Sequence, residues 1–186
     1  THDELMAHPA RFALVELVNV HDEGLEFEAI HRVMFSIEEA NFLNEMESYF
    51  SAQNMMFSFT AYANLAEAEK NITINNAQHS FPCTIAGTFG VCCIDKPKYT
   101  LVVATLQDFL DHYLEKHSSS RIDYIHGDQS VTDLGAQKNC AGFYLPAISK
   151  HDLFKTIVLD GALPRKTFSM GEADEKRFYL ECRRIK

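Results

Sequence analysis

No stretch of this chain stays apolar long enough to cross a bilayer, which excludes a membrane-spanning helix. The polar, acidic opening (THDELMAHPARF) lacks the pattern of a signal peptide, so none is expected. C-x-x-C never occurs, and the cysteines number five, an odd count. Cys83, Cys92, Cys93, Cys140 and Cys182 are therefore expected to be reduced thiols in a cytoplasmic protein, neither a disulfide framework nor a metal site. Four signatures are missing: the phosphate loop G-x-x-x-x-G-K-[ST], the dinucleotide fingerprint G-x-G-x-x-G, the zinc-protease H-E-x-x-H and the nucleophile elbow G-x-S-x-G. None of the nine histidines stands at metal-ligand spacing from a Cys or Asp, and no metal is expected. There is no internal repeat and no low-complexity segment.

What is present fits one domain. The chain has 186 residues, and its 46% apolar share is enough for a real core. Its net charge of −9 argues against non-specific nucleic-acid binding, which depends on neutralising phosphates. The positive charge is concentrated at one end. Residues 163–186 hold 7 Lys/Arg against 4 Asp/Glu, and the rest of the chain holds 10 against 22.

Residues 11–19 (RFALVELVN) are apolar on both alternating faces and read as a covered central strand. Residues 26–35 read as a second strand paired with it, followed by a helix capped by Ser36 with Glu39 closing a capping box. Its apolar stripe is Ile37, Ala40, Leu43, Met46 and Phe50. Residues 54–74 stay open: MMFSFTAY suits a strand and NLAEAEKN a helix. Residues 83–103 read as β-ribbon, with a bend near Gly87 and a turn at 95–98. Thr105 with Asp108 is expected to open a helix along Leu106, Phe109, Leu110, Tyr113 and Leu114. A strand at 122–126, a helix near 130–137 and a strand at 141–145 form a small β-α-β unit. A helix at 150–158 and a closing strand at 177–185 complete an α+β fold with a mixed, largely antiparallel sheet.

Three places carry candidate chemistry. Arg165, Lys166 and Thr167 follow Pro164 and precede Ser169 and Gly171; two cations and hydroxyls in so short a loop suit a phosphate or carboxylate. The alternative is ordinary surface pairing with acidic neighbours. His126-Gly127-Asp128 lies where a strand meets a helix, so its groups either hold an anion or move a proton, or simply cap that helix. His31 and Arg32 are adjacent in a strand and so point to opposite faces. His31 reads equally as a satisfied core residue, and Lys150 as solvated.

Residues 8–19 with Ile30-His31-Arg32, residues 122–128 and residues 163–185, in that order, resemble the bacterial domain-of-unknown-function family 1015 from end to end. The resemblance implies a distant relationship to the ParB/sulfiredoxin nucleotide-binding group, which includes free-serine kinases. It implies that this chain is the C-terminal half of a protein about twice as long, because the upstream Asp-Gly-(Asn/His)-His motif of the family is absent here. Its partners would then be the missing N-terminal half and a small-molecule or nucleotide ligand, the nucleotide used with magnesium in the intact protein. His31 and Arg32 match the family's His-Arg, and Lys166 matches the Lys of a Pro-Pro-Lys-Ser-Thr tail, with Arg165 and Thr167 departing from it. On this reading Arg32, Arg165, Lys166 and Thr167 bind an anion, and His31 and His126 move or orient a proton. The competing expectation is a non-catalytic module that packs or dimerises.

Overall fold

The computed structural model describes residues 2–8, 18–73 and 77–170. The expected strands at 11–19 and 177–185 fall outside the described residues, apart from Val18 and Asn19, and so does Cys182. The elements run α1 (His2–Ala7), β1 (Phe27–Ala29), β2 (His31–Phe35), α2 (Glu39–Ala52), β3 (Met56–Tyr62), α3 (Leu65–Lys70), β4 (Gln78–Ile85) and β5 (Thr88–Asp95). They continue with α4 (Val102–Lys116), β6 (Arg121–Ile125), α5 (Asp128–Gly135), β7 (Cys140–Phe143), a 3-10 turn at Lys150–Asp152, α6 (Leu153–Asp160) and β8 (Phe168–Met170).

Six strands form one antiparallel sheet in the order β3-β5-β4-β7-β2-β6, and β1 pairs with β8 separately. The fold is α+β, as the sequence pattern indicates. Phe42, Met46 and Phe50 of α2 and Leu106, Phe109, Leu110 and Tyr113 of α4 form the main core with Met34, Phe81, Cys83, Cys92 and Phe143 of the sheet. The opposite face carries a smaller cluster, in which Val131 of α5 meets Val33 and Tyr144, with Leu65 of α3 alongside. Both readings of residues 54–74 are realised in turn: MMFSFTAY supplies β3, and Asn64 caps α3 by accepting the Glu67 N–H.

Elsewhere the structure departs from the local signals. The strand expected over 26–35 breaks at Ile30 into β1 and β2, which pair with different partners. Ser36 does not cap α2; it sits in a turn at φ 57°, and Glu38 takes the cap position without a side-chain bond. The buried stripe of α2 runs through Phe42, and Ala40 is exposed. Residues 99–103 are not a strand, because α4 starts three residues before Thr105. Val103 extends its apolar face, and the Thr105 hydroxyl is occupied by Nδ1 of His79 at 2.9 Å. The β-α-β unit is split: β6 and β7 run parallel with β2 inserted antiparallel between them. Lys150 is half-exposed, and its Nζ donates to the carbonyls of Asp22 and Leu25.

Candidate active-site cleft

The break at Ile30 creates the chemistry around it. Register places His31 opposite Ile125 on β6, and Arg32 opposite Phe143 on β7. One step further, the Leu145 N–H and the Ile30 C=O would have continued the β2–β7 pairing. Two consecutive side chains replace them. The Leu145 N–H donates to Nδ1 of His31 at 3.0 Å, and Nη1 of Arg32 donates to the Ile30 carbonyl at 2.6 Å. Because Nδ1 accepts, the proton of neutral His31 lies on Nε2, which stands 3.0 Å from Oδ1 of Asp128. Asp128 is the first residue of α5, and Gly127 at φ 80° turns the chain into the helix. Asp128 makes no cap bond and its carboxylate faces His31 instead. His31 is buried whereas the Asp128 side chain is 57% exposed. Burial lowers the His31 pKa, the Asp128 charge opposes this, and the nearby Arg32 and His126 charges add to the lowering.

This pair stands at the wall of a cleft of about 760 Å³. The cleft also takes in the first half of β4, including the buried His79, the segment Tyr144-Leu145-Pro146 after β7, and the exposed cations Lys98 and Lys155. Tyr144 bonds Thr132, whose hydroxyl in turn reaches the Asp128 carbonyl, so the start of α5 is tied to this wall. Burial lowers the pKa of His79 and raises that of Tyr144.

Arg32 leads to a different place. It is fully buried on the α4 side, where Nε donates to Gln107 at 3.1 Å and Nη2 to the Arg165 carbonyl at 3.1 Å. Its guanidinium lies 4.8 Å from the Tyr124 ring, and burial lowers its pKa to about 10, so it remains a cation at neutral pH. The tail loop lies next to it, through the Arg165 carbonyl. Thr167 donates to the Pro164 carbonyl at 2.6 Å, Arg165 lies 3.6 Å from Asp111, and exposed Lys166 occupies a left-handed turn at φ 57°. The groove beside Pro164 is lined by Asp108, Asp111 and Asp160. Of the six residues singled out, then, His31 lines the cleft, and His126 is exposed on the turn next to it. Arg32, Arg165, Lys166 and Thr167 form a separate group on the other face. Sequence reasoning passed over His79, Lys98 and Lys155, which stand in no motif; the fold alone brings them together.

The family match covers the N-terminal elements through most of α4. Residues 1–113 fit the family described as "Protein of unknown function (DUF1015)". The chain belongs to the DUF1015 family. The matched part of this DUF1015 chain contains His31, Arg32 and β4, while Asp128 and the tail loop lie beyond it. No curated protein and no solved structure matches the chain.

Proposed function

We propose that this DUF1015 chain supplies the acid–base wall of a small-molecule site, in a protein whose chemistry is phosphoryl transfer of a kinase-like kind. The observation that carries the reading is the His31–Asp128 pair at the cleft wall, with the imidazole tautomer set by a backbone N–H. Asp128 is the more exposed partner and is the group that would accept a proton from a ligand hydroxyl; His31 holds that carboxylate in place and is a positioning residue. Phosphoryl transfer asks little covalent chemistry of the protein beyond such an orienting acid or base and positive charge near the phosphate. Lys98 and Lys155 line the cleft and would supply that charge. The nucleotide and its magnesium come from the family resemblance, the cytoplasmic location from the odd, scattered cysteines, and the N-terminal half of the intact protein would hold the nucleotide.

A thermal-shift screen of the chain and of the intact protein against nucleotides and phosphorylated metabolites tests this. A ligand at about 100 times its Kd adds ~2.7 kcal/mol to stability. The shift should shrink in both Asp128→Asn and His31→Gln. Shifts of undiminished size in both variants would refute the assignment.

A second reading, a packing or dimerisation module, draws on α6. Phe154, Val158 and Leu159 are more than half exposed there, an apolar face on a short helix. Sedimentation of the wild type against Phe154→Ser/Val158→Ser decides it: a dimer dissolved by the double substitution supports this reading, and an unchanged monomer removes it.

A further inference from the structure

The cleft has a feature that side-chain chemistry does not explain: half of a central strand is left open along it. The backbone parity of β4 follows from observed bonds. The Tyr144 N–H donates to the Pro82 carbonyl and the Ala86 N–H to the Cys140 carbonyl, so even-numbered residues of β4 direct their backbone groups toward β7. The Lys96 N–H donates to the Ala77 carbonyl, so odd-numbered residues face β5. The β4–β5 pairing extends from Ile85 up to Gln78, whereas the β4–β7 pairing covers only Cys83 to Ile85. Gln78 and Ser80 therefore aim two N–H and two C=O groups into the cleft, where no strand of the described residues meets them.

Two prolines keep the protein's own chain from closing this edge. Continuing the β4–β7 register sets Ser80 opposite Pro146, which has no N–H to give. Pro82 likewise has no N–H for the Tyr144 carbonyl. Pro82, Tyr144, Leu145 and Pro146 all line the cleft.

We propose that the ligand received here is an extended, amide-bearing chain, a short peptide of three or four residues, added as a strand to β4 at Gln78 and Ser80. The proposal rests on the reading of the cleft as the ligand site and names its substrate class. Donor–acceptor pairs repeating every second residue, about 6.8 Å apart, match the period of an extended backbone. Main-chain pairing of this kind supplies affinity, and the side chains along the cleft supply selection. The His31–Asp128 pair then stands on the wall beside the bound chain, where a side-chain hydroxyl of the peptide is the group it would meet.

Amide hydrogen exchange of the 15N-labelled chain tests this. In the free protein the Gln78 and Ser80 amides should exchange at least a hundredfold faster than those of His79 and Phe81, which face β5. A mixture of capped tetrapeptides at millimolar concentration should slow Ser80 at least tenfold, and the same mixture with N-methylated amides should not. Pro146→Ala, which returns an N–H opposite Ser80, should reduce the protection given by the peptides. Protection of Ser80 already in the free protein overturns the proposal, as does equal protection by the N-methylated mixture. Absence of peptide protection, where a phosphorylated metabolite still stabilises the chain through His31 and Asp128, overturns the peptide and leaves the cleft reading standing. If neither probe acts, both fail.

Discussion

His31 and Arg32 show how two neighbouring side chains can do opposite jobs. Strand alternation sends one to the cleft and the other into the protein. Arg32 has its three bonded nitrogens on Gln107, the Ile30 carbonyl and the Arg165 carbonyl, so it clasps the tail loop to β2. Arg32→Met should cost about 2–4 kcal/mol, because several buried acceptors lose their donor at once. Arg32→Lys should recover only part of this, since a compact ammonium cannot span the same acceptors. Urea midpoints at constant m-value give the comparison. His31 and His79 set a pH dependence. Both have folded pKa values lowered by burial, while the unfolded chain binds the proton near 6.5. Their contribution to stability is therefore complete above about pH 6.5 and is lost as pH falls below it toward the folded values. The expected slope is at most about 1.4 kcal/mol per pH unit for each histidine. His79→Gln should flatten the fall measured between pH 6.5 and 5.5; a steeper fall would contradict this. Cys83, Cys92 and Cys140 are buried in the free form, so they should react with a thiol reagent only on unfolding, and the denatured, unreduced protein should release close to five equivalents.

At the scale of elements, the split β-α-β unit is what brings Asp128 to His31. Its helix lies unusually close to the sheet. A Cβ on Gly142 would come within 2.7 Å of the Val131 side chain, and one on Gly135 within 2.7 Å of the Gly142 nitrogen. Gly142→Ala should cost about 1–3 kcal/mol through overpacking and shift the His31 imidazole signals by displacing α5. The β4–β5 hairpin turns on Ala86 and Gly87, both at positive φ (48° and 84°), a two-residue turn that prefers Asn-Gly. Ala86→Asn should stabilise by about 0.5 kcal/mol. Much of this level was legible in the sequence. The apolar stripe of α4 and the order of the β-α-β unit follow from the sequence pattern, whereas residues 54–74 offer a strand and a helix by propensity and stay open until the fold uses both. Helix starts were less legible. Ser36-Glu39 and Thr105-Asp108 both have capping-box spacing, yet tertiary packing begins one helix late and the other early. The cleft was less legible still. His31 and Asp128 are 97 positions apart, and only the insertion of β2 between β6 and β7 brings them together. The open edge of β4 depends on the register of Pro82 against Tyr144, and residue spacing alone does not carry that.

For the molecule as a whole, the described residues combine a main core and a smaller cluster on the opposite face of the sheet with a cleft that its own strands leave open. Among the described residues no helix is long and apolar enough to cross a membrane. If the nucleotide-holding part belongs to the intact protein, the purified chain should show no phosphoryl transfer by itself; turnover by the chain, abolished by a single substitution within it, would contradict that division of labour. The central claim is that ligand recognition belongs to the His31–Asp128 cleft and not to the basic tail loop. The most direct test takes the ligand giving the largest thermal shift and compares its Kd for the wild type, His31→Gln and Lys166→Ala. The account predicts a loss of tenfold or more for His31→Gln and less than twofold for Lys166→Ala, whose side chain is exposed away from the cleft. A tenfold loss for Lys166→Ala with His31→Gln unchanged would contradict it and move the site to the tail.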